Sequence, residues 1–223
     1  MIRYLWGLLL IGWFRAGVFH MEIKIQTLRK QDDKKAIRFA IVGMHFDWYF
    51  DAKALLRLYG RYFWSLAMNQ ATQALGAYVG DRCVGVLLAN LHQEKKSYGS
   101  WRQTFWVKTF DLLQRLAAKD GVSAYEEANW ELLQQYTKTV SPDGEILFLA
   151  ADPELEGKGV GTALLAELAR REKGKEVYLY TDNACNYQFY EHRGFCLAGA
   201  KEIVLDLPGK TVPLQCFLYH KTL

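Results

Sequence analysis

The pattern of apolar and polar positions predicts strands and helices that alternate along the chain. Residues 21–27 alternate with period two, which is typical of a half-buried strand. Residues 31–69 carry apolar side chains at helical spacing and predict two helices, while residues 74–79 and 82–89 predict a hairpin that turns at 80–81. The apolar stripes of the two helices are Ile37, Ile41 and Met44, and Leu55, Leu58, Tyr62 and Leu66.

Residues 91–143 predict two further helices. Trp106, Phe110 and Leu113 form a stripe on the first, and Ser123 and Glu126 have the spacing of a capping box at the start of the second. The stripe of the second helix is Tyr125, Ala128, Leu132 and Tyr136. This segment has more aromatic surface than a solvated excursion needs, so it could be a lid over a cleft, a dimer interface or a simple packing element.

The centre of the chain is a strand followed by a glycine-rich bend and a helix. Residues 146–151 form an apolar run of strand length, and Val160, Leu164, Leu165 and Leu168 mark one face of the helix that follows. Glycines at such a bend let successive backbone N–H groups point at one anion, to which a helix N-terminus adds partial positive charge. The bend by itself predicts either a diphosphate site or a plain tight turn, and its spacing is neither the dinucleotide fingerprint nor a nucleoside-triphosphate loop.

The last third of the chain continues with alternating elements. Residues 177–181 predict a buried strand, and residues 182–195 predict a short helix that ends at a glycine. Residues 196–207 and 211–220 predict two strands that close the sheet.

Two motifs in this order resemble the GNAT superfamily of acyl-coenzyme A-dependent N-acetyltransferases. The segment from Glu156 to Gly161 is similar to the family's pyrophosphate loop, and Asn183 through Phe195 is similar to its Asn…Phe-Tyr-x-x-x-Gly-Phe signature. The resemblance extends from about Gly144 to the C-terminus and is only topological before it. It implies an α/β (α+β) fold with a mixed, mostly antiparallel twisted sheet flanked by helices, interrupted here by a helical insertion before the central strand.

The family has Gln or Arg where this chain has Glu156. Two like charges ~4 Å apart at an effective dielectric of ~20 repel by ~4 kcal/mol, so Glu156 is expected to turn away from a diphosphate.

The resemblance implies acetyl-CoA as the cofactor and assigns candidate binding residues to it. Main-chain groups of the central strand would contact pantetheine, and the loop would hold the diphosphate. Asn183 would hydrogen-bond the coenzyme, although a helix-capping residue would look the same. The full candidate set is Leu149, Ala150, Ala151, Gly157, Lys158, Gly159, Val160, Gly161, Thr162, Asn183 and Asn186.

The same resemblance makes Tyr190 the general acid for the leaving thiolate, and Tyr187 is the alternative that the sequence leaves open. A tyrosine of pKa ~10 stays protonated at neutral pH, and a thiolate of pKa ~8.5 can accept its proton. An alkylamine of pKa ~10.4 is almost wholly protonated at pH 7, so a base is also needed. Glu145 is the candidate at the strand entrance, and Glu126 or Glu127 are alternatives that the sequence does not exclude.

The acceptor amine is expected near the connection between the first two helices, which lines the acceptor site in the GNAT arrangement. His45, Asp47 and Trp48 form an aromatic and acidic patch there, which could instead belong to the core. We expect the substrate to be a primary amine of a small molecule or a peptide.

Composition narrows the function classes. The chain has 223 residues, 51% of them apolar, and a net charge of +4 without a basic stripe, so nucleic acid is not an expected partner. Four cysteines lack metal-ligand spacing and are expected to be reduced thiols in a cytoplasmic protein. A homodimer is possible, and no metal is expected.

Residues 1–20 are an apolar extension whose dense apolar run, from Tyr4 to Phe14, is too short to span a bilayer, which needs about 20 apolar residues. Met21 opens a regular strand, so we expect native translation to start there and one domain to cover residues 21–223, with its insertion at about 91–143. Membrane association is the less favoured alternative. The sequence as a whole predicts an N-acetyltransferase that works by direct attack, and the competing hypothesis is a non-catalytic acyl-CoA-binding sensor or interaction module.

Overall fold

A computed structural model describes residues 22–48, 52–96, 98–117, 121–207 and 209–223, including all side chains except those of 110–117 and 121–123. The predicted N-terminal extension and the capping role of Ser123 therefore lie outside the described part of the chain.

Seven strands form one open sheet in the order β1-β2-β3-β4-β5-β7-β6. Neighbouring strands are antiparallel except β4 and β5, which run parallel. The strands are β1 (Lys24–Thr27), β2 (Gln73–Val79), β3 (Arg82–Leu91), β4 (Gly144–Ala151), β5 (Glu176–Asp182), β6 (Cys196–Leu207) and β7 (Lys210–Thr222). The predicted mixed, mostly antiparallel sheet is thus confirmed.

Six α-helices lie between the strands of the described chain: α1 (Asp33–Gly43), α2 (Lys53–Gln70), α3 (Trp101–Ala117), α4 (Gly121–Tyr136), α5 (Val160–Arg171) and α6 (Gln188–Glu191). Short 3-10 turns occupy Lys30–Asp32, Phe46–Trp48 and Pro153–Leu155. The two helices predicted between the hairpin and the central strand are α3 and α4.

Helices cover both faces of the sheet. On one face α5 buries Val160, Leu164, Leu165 and Leu168, which are the four positions that the sequence predicts. On the other face α1 and α2 pack over β2, β3 and β4, and α4 packs over β5, β6 and β7. The site described below lies where the strands between these layers separate.

Helix α2 turns a different face to the core from the one its apolar stripe predicts. Its buried positions include Trp64, Ala67 and Met68, whereas Leu55 is 48% exposed. The reason is Gly60, where a Cβ atom would come within 2.9 Å of Ile41, so α1 and α2 approach each other at this glycine. The close contact fixes the rotation of α2 about its axis.

Candidate active site

Strands β4 and β5 separate soon after they meet. Only Gly144 with Val177 and Glu145 with Tyr178 are paired across this parallel junction. Beyond these pairs the strands enclose a cleft of about 730 Å³, lined by residues 146–151 of β4 and 179–182 of β5. A volume of this order is that of a small-molecule site, which typically measures ~300–1,000 Å³.

A bulge in β4 lies beside the cleft. Leu88 of β3 pairs with Phe148, but its neighbour Ala89 pairs with Ile146, so Leu147 is an extra residue without a partner on β3. The bulge moves the side chains that follow it to the opposite faces of the strand. The predicted residues Leu149, Ala150 and Ala151 come after it and line the cleft.

The glycine-rich bend lies at the cleft and leads into α5. Gly157 and Gly159 have φ angles of +73° and +80°, which disfavour any residue with a side chain, and no atom lies within 4 Å of where their Cβ would be. Gly159 caps α5, so the N-terminus of this twelve-residue helix points at the cleft. Strain-free glycine geometry and open space are what an anion-binding bend requires.

The backbone amides of this bend are available to a ligand. Within the described chain, the N–H groups of Gly157, Gly159, Val160, Gly161 and Thr162 donate to no other backbone group. The first N–H groups of a helix have no partner inside the helix, and here they open toward the cleft. The arrangement fits a diphosphate.

Gly161 has a packing role in addition to the one that the bend predicts. A Cβ atom there would lie 2.8 Å from Cζ of Phe189, so the missing side chain lets the ring of Phe189 pack against the first turn of α5. Gly161 therefore joins α5 to α6, although it also lines the cleft. Thr162, the next residue, accepts hydrogen bonds from Arg193.

Charged side chains of the bend point to solvent. Glu156 and Lys158 are both exposed; Glu156 lies at the cleft rim, and Lys158 is not part of the cleft lining. The positive side chain that does line the cleft beside α5 is Arg193, a residue that the sequence reasoning missed.

The signature residues divide between cleft and scaffold. Asn186 and Tyr190 line the cleft. Asn183 lies outside the lining and ties the chain to β7, because its Oδ1 accepts from the N–H of Gln215 at 3.0 Å and its own N–H donates to the Gln215 carbonyl. Its role as a coenzyme ligand stays a prediction.

Tyr190 is enclosed by aromatic rings. The ring centroids of Phe189 and Phe195 lie 5.2 Å and 5.6 Å from that of Tyr190, both edge to face. Burial raises the pKa of the Tyr190 phenol well above its ordinary value, and the nearby thiol of Cys185 adds to the shift. The phenol is therefore a protonated group at neutral pH.

Glu145 lies at the closed end of the gap and is not part of the cleft lining. The Tyr178 hydroxyl donates to Oε2 of Glu145 at 3.4 Å. Tyr180 lines the cleft, and its pKa is raised first by burial and then by the nearby charge of Glu145. Burial raises the pKa of Glu145 to about 7, against a smaller opposing effect of the Tyr178 hydrogen bond. A carboxyl group of this pKa can exchange protons at neutral pH.

Helix α4 of the insertion contributes to the cleft wall. Tyr125 lines the cleft and its hydroxyl donates to Oδ2 of Asp182 at 3.1 Å. Oδ1 of Asp182 accepts from the N–H groups of Ala184 and Cys185, which fixes the turn after β5. The sequence places Tyr125 on the buried stripe of its helix but does not assign it to the site.

The predicted acceptor patch lies beside the cleft. His45, Asp47 and Trp48 are not among the residues that line it, whereas Gly43 and Met44 just before them are. The rings of His45 and Trp48 stack with centroids 4.9 Å apart, and Lys210 at the tip of the β6–β7 hairpin lies over Trp48. Asp47 is exposed.

Other site classes receive no support from the described residues. No cluster of three or more His, Cys, Asp or Glu side chains there could hold a metal ion, and the four cysteines are free thiols. No helix in the described ranges is both long and apolar enough to cross a bilayer.

A protein-family model described as an acetyltransferase (GNAT) domain matches residues 102–196, which include α4, β4, the bend, α5, β5 and α6. A search of curated protein sequences gives no significant match.

Solved structures share the fold at low sequence identity. The polyamine N-acetyltransferase of Drosophila melanogaster is 13% identical, with 90% of this chain and 100% of that chain covered and a TM-score of 0.55. The histone acetyltransferase HPA2 and related acetyltransferase of Corynebacterium glutamicum is 16% identical, with 89% and 96% covered and a TM-score of 0.54. The ribosomal-protein-S18-alanine N-acetyltransferase of Escherichia coli is 12% identical, with 89% and 92% covered and a TM-score of 0.50.

Proposed function

We propose that this chain, which carries a GNAT acetyltransferase domain, transfers the acetyl group of acetyl-CoA to a primary amine of a small molecule or a peptide by direct attack. The observation that carries the proposal is the separation of β4 from β5 beside a bend whose backbone amides have no backbone partner. The separation makes room for an extended chain between two strands, and the bend provides a place for its diphosphate.

The residues present fit acetyl-CoA. Each charge-assisted hydrogen bond from a backbone amide contributes ~1.5–3 kcal/mol, so several amides between Gly157 and Thr162 can hold a diphosphate without a dedicated side chain. The main-chain groups of β4 at Leu149, Ala150 and Ala151 border the adjoining cleft and would hold the pantetheine arm. When bound, acetyl-CoA supplies an activated acetyl group as a thioester.

Tyr190 would donate a proton to the sulfur as the thioester breaks. Its raised pKa keeps the proton on the phenol, but it also makes the phenol a weaker acid. Enclosure by Phe189 and Phe195 compensates, because a desolvated thiolate is also a stronger base than one in water. Transfer is then favoured only as charge develops on the sulfur.

Glu145 would accept the proton that the amine loses. It lies on the same sheet face as Tyr178 and Tyr180, where α4 packs, and not on the face of α5. Because Tyr180 lines the cleft and Glu145 does not, the proton would travel by way of water or of the Tyr180 hydroxyl. General acid and base catalysis of this kind contributes typically ~10²–10⁴-fold in rate.

The acceptor would approach from the face that α1, α2 and α4 cover. Tyr125, Tyr180 and Asp182 line the cleft there and give it a polar aromatic wall with a carboxylate, which suits an amine. The structural relatives act on amines of different kinds, a polyamine in one case and the alanine of a ribosomal protein in another. Helix α4 is the part of the wall that we expect to set the choice of acceptor.

The test is an amine panel assayed by release of coenzyme A thiol. It should include diamines, polyamines, aminoglycosides, amino acids and short peptides with free N-termini. We expect thiol release with at least one amine, and a loss of ~10²-fold or more in Tyr190→Phe. Tyr187→Phe is the matched control, because Tyr187 packs against Phe217 at 4.9 Å between ring centroids and is not part of the cleft lining.

Two results would count against this assignment. Coenzyme binding without acetylation of any amine would favour a sensor or interaction module. Full turnover by Tyr190→Phe across the pH range would show that this phenol is not the acid.

A further inference from the structure

A second, smaller cavity, a groove along α5, adjoins the cleft. Its volume is about 180 Å³, which is below the range of a whole ligand site and suits one part of a larger molecule. Its walls are mostly apolar and include Leu165, Ala169, Phe195 and Leu223. Thr162 and Arg193 line both this groove and the cleft, so the two cavities meet at that pair.

Arg193 is held rigidly at the junction. Its guanidinium donates to Thr162 Oγ1 through Nε and Nη2 and to the Phe189 carbonyl through Nη1, and it lies 3.7 Å over the Phe189 ring. A guanidinium has five N–H donors, so these three bonds leave two that can reach a ligand. The side chain is only half-buried.

Lys221 places a second positive charge next to Arg193. Its Nζ donates to the Arg193 carbonyl and lies 5.6 Å from the centroid of the Phe195 ring. An ammonium has three donors, so two remain. Neither Lys221 nor Arg193 forms an ion pair with a carboxylate of the described residues, whereas the other half-buried cations there, Arg29, Lys175 and Lys201, all do.

The position of the two cations matches the shape of the coenzyme. Beyond its diphosphate, coenzyme A continues into a ribose that carries a 3′-phosphate and an adenine ring. Thr162 and Arg193 line both cavities, so a molecule whose diphosphate lies at the bend can continue past this pair into the groove. A doubly charged phosphate is attracted to the two cations, and the apolar side chains of the groove can pack against the base.

We propose that Arg193 and Lys221 bind the 3′-phosphate of coenzyme A and that the groove beside α5 receives its adenine ring. This inference rests on the proposed function, because it assigns a subsite to the same donor. It makes the protein selective for coenzyme A over donors that have a diphosphate and pantetheine but no 3′-phosphate.

The other basic residues near α5 are less suitable. Arg170 and Arg171 lie in its last turn, and both donate to Glu167, whose pKa they lower to about 2. Their charges are already neutralised at the end of the helix that is remote from the bend. Arg170 is therefore a control for general electrostatic attraction.

The experiment is calorimetric titration of the purified protein with coenzyme A and with 3′-dephospho-coenzyme A. Two charge-assisted contacts predict that the wild type binds coenzyme A at least about tenfold more tightly. Arg193→Gln and Lys221→Gln should each reduce this ratio severalfold and leave the affinity for 3′-dephospho-coenzyme A nearly unchanged. Arg170→Gln should keep the wild-type ratio.

Equal binding of the two ligands by the wild type would overturn the inference while leaving the proposed function intact. Absence of binding for both ligands would instead contradict the proposed function. If Arg193→Gln loses both affinities together because α5 and α6 are no longer joined, Lys221→Gln decides: a reduced ratio supports the subsite, and an unchanged ratio refutes it. A ratio lost in Arg170→Gln but kept in Arg193→Gln would also refute it.

Discussion

Glu145 of β4 and Tyr178 of β5 are the last two residues paired across the parallel junction before the strands separate. The Tyr178 hydroxyl donates to the Glu145 carboxylate at 3.4 Å, a long contact that compensates little of the cost of burying a charge. The pKa of Glu145 is consequently raised to about 7. The point at which β4 and β5 separate therefore carries a carboxyl group that can gain or lose a proton at neutral pH.

This burial predicts a specific dependence of stability on pH. A folded-state pKa of about 7 means that the folded protein binds the Glu145 proton more tightly than the unfolded chain does. The contribution of this proton to stability is therefore full below pH ~4.5 and is lost as the pH rises through ~7. Glu145→Gln should remove this loss. The free energy of unfolding at pH 8 minus that at pH 4.5 should therefore be higher in the variant than in the wild type by up to roughly 3 kcal/mol. Urea denaturation at both pH values measures it.

Glu127→Gln is the matched control, because Glu127 is exposed on α4 and should leave the pH dependence of the wild type unchanged. An identical change of stability with pH in wild type and Glu145→Gln would contradict the burial of an ionisable carboxyl group at this position.

The same group should shape the dependence of rate on pH. If Glu145 accepts the amine proton, kcat/KM for the acceptor rises as pH passes through about 7, because the carboxyl group must first ionise. In Glu145→Gln that limb should disappear and only the limb due to ionisation of the amine should remain. We also expect a fall of ~10²-fold or more at pH 7. A limb near pH 7 that survives the substitution would identify another base, with Glu126 and Glu127 the next to examine.

Gly161 should be required for packing and not only for binding. Gly161→Ala places a Cβ atom 2.8 Å from Cζ of Phe189, and overpacking of this kind costs ~1–3 kcal/mol of stability. Phe189→Leu should restore most of the loss when the two changes are combined, and thermal denaturation of the four variants of this cycle measures the coupling. Additive effects would show that the two residues do not press on each other.

The order of elements could be predicted because it depends on local patterns. The stripe of α5, the hairpin that turns at Gly80 and the two inserted helices all follow from periodicity and turn residues. The family resemblance added what periodicity could not, namely that main-chain groups of the central strand would contact the pantetheine of a coenzyme.

Contacts between residues far apart in the chain could not be predicted from the sequence. Residues 182–195 were predicted as one helix, but α6 spans only Gln188–Glu191, because the Asp182 carboxylate accepts the N–H groups of Ala184 and Cys185 and holds a turn there. Arg193 reaches Thr162 across 31 positions, and no local pattern indicates such a pair. Both are consequences of tertiary packing.

The central claim is that main-chain amides at the bend before α5 hold the coenzyme diphosphate. Gly159 and Gly174 offer a matched pair for testing it, since their φ angles are +80° and +82° and neither has an atom within 4 Å of the Cβ position. A leucine at either site carries similar backbone strain, but only Gly159 lines the cleft.

The decisive measurement is the Kd for acetyl-CoA by calorimetry of the wild type, Gly159→Leu and Gly174→Leu. The account predicts that the wild type and Gly174→Leu bind alike and that Gly159→Leu binds at least about tenfold more weakly, as the loss of one or two charge-assisted hydrogen bonds implies. No uptake by the wild type, or equal Kd values for Gly159→Leu and Gly174→Leu, would contradict it.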